Sequence, residues 1–171
     1  MFSEPCGYIL DIIMSTALDK EAENMPSNTD PYHLDRFIIA QDPIIERVLM
    51  ELGNGRKLTH WMWFIFPQMH GLGHSATAQF YAIKSEAEAR QYLRHPILGA
   101  RLLKCAETVL AVKGKSITTI FDSPDDMKLK SSMTLFSTLT DPGSVFERVL
   151  EKHFDGKRDT LTLGLLKKRA K

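Results

Sequence analysis

Leu98-Gly-Ala-Arg-Leu-Leu-Lys-Cys-Ala-Glu-Thr-Val-Leu-Ala-Val112 decides the fold class. Leu98, Leu102, Cys105, Val109 and Val112 recur at three- and four-residue spacing, while Arg101, Lys104 and Thr108 fall on another face. That is the pattern of a helix with one buried stripe. Phe146, Val149, Leu150 and His153 repeat it, with Glu147, Arg148, Glu151 and Lys152 turned away, and Ile45, Val48, Leu49 and Leu52 form a third stripe. No run alternates cleanly with period two. The chain is therefore expected to be all-α, a compact single domain of six to nine short helices.

Starts and stops support this. Asp30-Pro31, Asp42-Pro43, Ser123-Pro124 and Asp141-Pro142 each put a capping side chain before a proline and are read as helix starts. Ser85 with Glu88 makes a capping box, and Ser116 and Asp159 or Thr160 can open two more helices. Gly53 with Gly55, His95-Pro96, Gly114 and Gly156 read as stops. Glu46-Arg47-Val48-Leu49 recurs as Glu147-Arg148-Val149-Leu150. A glycine and two basic residues follow each copy at the same offset (Gly55-Arg56-Lys57 and Gly156-Lys157-Arg158). Two amphipathic helices built by one grammar explain the echo more simply than duplication.

The chain has 171 residues, enough for one domain that buries roughly 70% of its unfolded surface. A 43% hydrophobic composition excludes a disordered chain or a disulfide-stapled miniprotein. The net charge of +1 averages unlike parts: −5 over residues 1–30, +1 over 31–156 and +5 over 157–171. The balanced central body gives no reason to expect a nucleic-acid coat or membrane binding. The basic Lys167-Lys-Arg-Ala-Lys171 end is read as complementing the last helix's negative pole, so nucleic acid is not an expected partner. Cys6 and Cys105 belong to no Cys-x-x-Cys pair, which points to a reduced, cytoplasmic protein. Tyr8–Leu18 is too short to span a bilayer, Asp11 interrupts it, and Glu4 stands where a signal peptide is basic. Residues 1–29 are read as an acidic, flexible leader or an upstream start, or as a short amphipathic helix over Tyr8–Leu18. The helical domain is expected over 30–171.

Chemistry concentrates in two stretches. His60-Trp-Met-Trp-Phe-Ile-Phe-Pro67 carries both tryptophans and is apolar on every side. It is either the core segment on which the rest packs, as a buried strand or central helix, or it lends an indole to a pocket floor. It leads into Gln68-Met-His-Gly-Leu-Gly-His-Ser75 and a helix from Ala76. Gly71-x-Gly73-x-x-Ala76 fits a relaxed dinucleotide fingerprint, but no second strand and no ribose-binding acid follow, so a Rossmann unit is rejected. The glycines either allow a tight turn capped by Ser75 or aim backbone N–H groups at an anion. His70 and His74 lack a third ligand, so no metal and no cofactor are expected.

The second stretch is Ser123-Pro-Asp-Asp-Met-Lys-Leu-Lys-Ser-Ser-Met-Thr-Leu-Phe136. Asp125 and Asp126 suit a first helical turn, and Asp126 can close a capping box with Ser123. Lys128, Ser131, Ser132 and Leu135 share a face. A lysine beside hydroxyls can hold phosphate or carboxylate or activate a serine. Alternatively the lysine is solvated and the serines bond back to the backbone.

His60 to Gln68, Gly71-Leu-Gly-His-Ser75, Tyr81-Ala82, His95-Pro-Ile-Leu-Gly-Ala-Arg-Leu102 and Pro124 to Phe136 resemble the bacterial and fungal domain-of-unknown-function family numbered 1810. The likeness runs from about Asp30 to about Leu166. It implies a compact multihelical cytoplasmic domain and no established activity, cofactor or catalytic residue. Some members carry the label calpastatin; that inhibitor is a long disordered chain, unlike this capped and packed sequence.

Two functional classes follow. The first is a pocket for a small anionic or nucleotide-like ligand, formed by Trp61, Trp63, Gln68, Gly73, Ser75, Tyr81, Lys128 and Ser131. If the pocket hydrolyses or transfers a group, His60 or His74 serves as base and Ser132 as a candidate nucleophile. The second is a non-catalytic interaction module whose exposed faces bind protein or a second copy.

Overall fold

Serine hydroxyls open several helices where a side-chain acceptor is needed. In a computed structural model, which describes residues 30–169, ten helices run through the described residues. They are α1 (Asp35–Gln41), α2 (Ile45–Gly53), α3 (Met62–Ile65), α4 (Ala76–Phe80) and α5 (Glu86–Arg94). Then come α6 (Leu98–Ala111), α7 (Ile117–Phe121), α8 (Asp125–Ser137), α9 (Val145–Phe154) and α10 (Thr160–Arg169). Seven have at least seven residues, and α3, α4 and α7 are single turns. The fold class is all-α. Among the described residues the β pairing is one isolated bridge, Met69 to Ile83. Residues 1–29, including Tyr8–Leu18, lie outside the described residues.

Ser75, Ser85, Ser116 and Ser144 accept from the N–H three residues on, starting α4, α5, α7 and α9. Asp159 accepts from Thr162 N–H at 2.9 Å and starts α10. The expected stops also appear. Asp155 and Gly156 take left-handed φ of 54° and 70° after α9, and Gly156 N–H reaches back to Leu150 O at 3.0 Å.

The four acid- or serine-proline pairs behave differently from expectation. Asp42 ends α1 and pairs with Arg101 at 2.8 Å, and Asp141-Pro142 lies in the turn ahead of Ser144. Pro31 precedes α1 by several residues, and α8 starts after Pro124 without a side-chain cap. Proline here fixes the turn that delivers the chain to a helix rather than its first residue. Nor does Asp126 reach Ser123. It accepts from Thr118 Oγ1 at 3.0 Å and Met127 N–H at 2.8 Å.

Two long helices organise the core of the unit Tyr32–Lys171. α2, α3, α5 and α9 pack on α6, while α3, α5, α7, α9 and α10 pack on α8. Both copies of the Glu-Arg-Val-Leu echo, in α2 and α9, thus face α6. α8 is the buried one: every residue from Ser131 to Ser137 is buried. Its polar sequence is tolerated because Ser131 donates to Met127 O at 3.1 Å and Ser137 to Thr134 O at 2.9 Å. An aromatic line joins α1 to α9 through Phe37, Tyr92, Phe136 and Phe146, with centroid steps of 4.9, 5.7 and 5.7 Å.

The aromatic run 60–67 is neither a strand nor a long central helix. It contributes one turn, α3, whose Met62 and Ile65 are buried, with Trp61 and Phe66 buried at its ends. A second organiser is Arg36, which donates to the carbonyls of Tyr32, His33, Phe80 and Ala82 and pairs with Glu88 Oε1 at 2.5 Å. Glu88 also accepts from Lys84 N–H at 2.8 Å, so the start of α5 is tied to α1.

Candidate functional site

The glycine turn is shaped from both ends. His70 N–H donates to Ile83 O and Ile83 N–H to Gln68 O, both at 2.8 Å, closing the loop that contains it. Gly71 sits at φ +107°, where other residues are strained. Gly73 is required for closeness: a Cβ there would lie 2.5 Å from Ala78 Cβ. Ser75 then caps α4 through Ala78 N–H at 3.1 Å. Close packing is thus the visible role of Gly73.

Trp63 is half-buried and turned to the same side. The Lys128 ammonium of α8 lies 5.0 Å from its ring centroid and pairs with Asp125 Oδ1 at 2.6 Å. The other oxygen of Asp125 holds Lys57 at 2.7 Å, and Lys57 lies 5.3 Å from the Trp61 ring centroid. One carboxylate thus serves two ammonium groups, leaving a net positive charge. Burial raises the Asp125 pKa, but the hydrogen bonds from Lys128 and Lys57 outweigh this and hold it below the ordinary carboxylate range.

These pieces enclose a cavity of about 420 Å³. The turn supplies Gln68, Leu72, Gly73, His74 and Ser75; α3 supplies Trp63; α8 supplies Met127, Lys128 and Ser131. Asp159 and Leu161, from the start of α10, close the remaining wall. Asp159 Oδ2 accepts from Ser131 Oγ at 3.1 Å as well as from Thr162, and its N–H donates to Thr134 Oγ1 at 2.9 Å, fastening α10 to α8. The surface has an indole and aliphatic groups on one part, and an ammonium, a hydroxyl and an amide on another. That mixture suits a small ligand with a flat apolar part and a negative group. A hollow of about 500 Å³ beside Leu139–Ser144 is lined by a single loop and offers no such convergence.

A second cavity, of about 300 Å³, shares Leu72, His74 and Leu161 with the first. Its other walls are Gly71, Thr160, Gly164, Leu165 and Lys168.

Trp63, Gln68, Gly73, His74, Ser75, Lys128 and Ser131 therefore line one concavity. Trp61 does not. It is fully buried, and its indole N–H donates to Glu51 Oε2 at 2.8 Å. Tyr81 packs on Phe37, Phe64 and Phe80 rather than into the cavity. His60 is exposed and is absent from the lining. Ser132 is wholly buried in α8, and its Oγ has no partner among the described residues, so a ligand in the cavity cannot reach it. Sequence reasoning missed Asp159, Leu161 and Met127 as walls. The available signal was the capping role of Asp159, which places it at a helix start but not against α8.

No helix among the described residues is long and apolar enough to cross a membrane, and none of their His, Cys, Asp and Glu residues form a group of three placed to hold a metal ion. No curated protein matches the chain. A solved structure does: the conserved hypothetical protein Rv1873 from Mycobacterium tuberculosis is 49% identical, covering 81% of this chain and 99% of its own, with a TM-score of 0.79. At that identity the two chains share their fold. Residues 31–166 match the family described as "Protein of unknown function (DUF1810)", and the chain belongs to that family.

Proposed function

We propose that the cavity between the glycine turn, α8 and the start of α10 binds a small anionic or nucleotide-like ligand. The observation that carries this reading is the convergence of Trp63, Ser75 and Lys128, from separate segments, on one concavity. In it a flat ring lies against Trp63, and the negative group takes the Lys128 ammonium. Lys128 is held in place by Asp125 at 2.6 Å but is not neutralised by it, because Asp125 also serves Lys57. His74, exposed on the cavity wall, is the base available if the bound molecule is hydrolysed or its group transferred. We place the protein in the cytoplasm, with no nucleic-acid partner.

A thermal-shift screen of the full chain with nucleotides, sugar phosphates and ADP-ribose-like compounds tests the reading. At least one compound is expected to raise the melting temperature. Lys128→Ala should remove that rise while leaving the unliganded melting temperature within a few degrees of wild type. A panel without a hit, together with a stable dimer in solution, would replace this reading with the non-catalytic interaction module.

A further inference from the structure

Leu161 lines two neighbouring cavities. Leu72, His74 and Leu161 form a ridge shared with the second cavity, of about 300 Å³, which runs along α10 to Lys168. Both volumes fall at the small end of small-molecule sites, and joined they reach mid-range. Each compartment has its own ammonium, Lys128 in the first and Lys168 in the second. Among the described residues nothing pairs with Lys168.

Gly164 is a separate observation. It lies in the middle of α10, where glycine is a poor helix former. No close packing explains it: an added Cβ would meet nothing within 4 Å. Gly164 lines the second compartment, so the space left by its missing side chain adds to that compartment.

Resting on the reading above, we infer that the ligand is a two-part molecule that crosses the Leu72–Leu161 ridge. Its ring unit and first negative group occupy the compartment of Trp63 and Lys128. A second polar or anionic unit lies along Gly164 and ends at Lys168. The chemical class is a ring-bearing unit joined through phosphate to a second polar unit, longer than a mononucleotide. His74 stands on the ridge, beside the linkage between the two units.

AMP and ADP-ribose serve as short and long probes, titrated calorimetrically into the full chain. Wild type should bind ADP-ribose about tenfold or more tighter than AMP, because the second unit adds an attached contact. Gly164→Leu, which fills the second compartment, and Lys168→Ala should each bring ADP-ribose affinity down toward that of AMP. Neither should alter AMP binding. Gly164→Ala, which favours the helix, controls for folding, with helicity read by circular dichroism. Equal affinities for the two probes, or both variants leaving ADP-ribose binding unchanged, would overturn the two-part ligand while the single-compartment reading stands. Absence of binding by both probes would overturn the two-part ligand, and the single-compartment reading falls with it if the wider panel also gives no thermal shift.

Discussion

One oxygen of Asp125 holds Lys57 over Trp61, and the other holds Lys128 over Trp63. The two lysine–tryptophan pairs are built from the same parts, yet they have different fates. On the Trp61 side everything is satisfied internally. Glu51, 3% exposed, accepts from Leu58 N–H, Thr59 N–H, Thr59 Oγ1 and the Trp61 indole, at 2.7 to 3.1 Å. On the Trp63 side the indole and ammonium face a cavity instead. Equal chemistry becomes a structural clamp where a buried carboxylate closes it, and a candidate binding surface where nothing does.

The largest expected effect falls on the closed side. Glu51→Gln removes a charged acceptor from four donors, none of which has another described partner. It should cost about 3 kcal/mol of stability in urea denaturation. A loss below about 1 kcal/mol would mean that the clamp is not what separates the two sides.

Acid should find the same side next. Burial raises the Glu51 pKa, but the hydrogen bonds from Leu58, Thr59 and Trp61 lower it further, to a net position below the ordinary value; Asp125 is also lowered. Folded values below unfolded ones mean that this stability is present above about pH 4 and lost as pH falls through the folded values. His153, lowered by burial and then by Lys152, adds an earlier limb: its contribution is present above about pH 6.5 and declines below it. Urea midpoints from pH 3 to 8 should fall in both steps. His153→Gln should flatten the upper step and Glu51→Gln part of the lower one.

The smallest stability effect should be on the open side. Lys128→Ala loses a partly exposed ion pair and a cation–π contact, and should cost less than about 1 kcal/mol. A cost equal to that of Glu51→Gln would place Lys128 in the structural frame and remove the contrast.

Local signals are legible in this sequence and long-range ones are not. Ser75, Ser85 and Ser116 act within three residues of themselves, so their capping roles are visible without the fold. Leu98 to Val109 advertises its buried face by spacing alone. α8 hides its central position, because Ser137 satisfies its hydroxyl on its own helix and Ser131 shares its own between Met127 O and Asp159, so both can be buried despite looking polar. The aromatic run, by contrast, looked like the core's axis but supplies only the turn α3. Most of the cavity was legible as residues, Trp63, Gln68, Ser75 and Lys128 among them. Its fourth wall was not, because Asp159 and Leu161 reach it only through the packing of α10 on α8.

The two indole N–H groups offer the most direct test that Trp63, not Trp61, meets the ligand. Nitrogen-15 spectra of the full chain should show two indole signals, assigned by Trp63→Phe. Titration with the compound giving the largest thermal shift should move the Trp63 signal and leave Trp61, bonded to Glu51, nearly still. If Trp63 stays still while that compound binds, the ligand lies elsewhere and the account of the cavity is wrong.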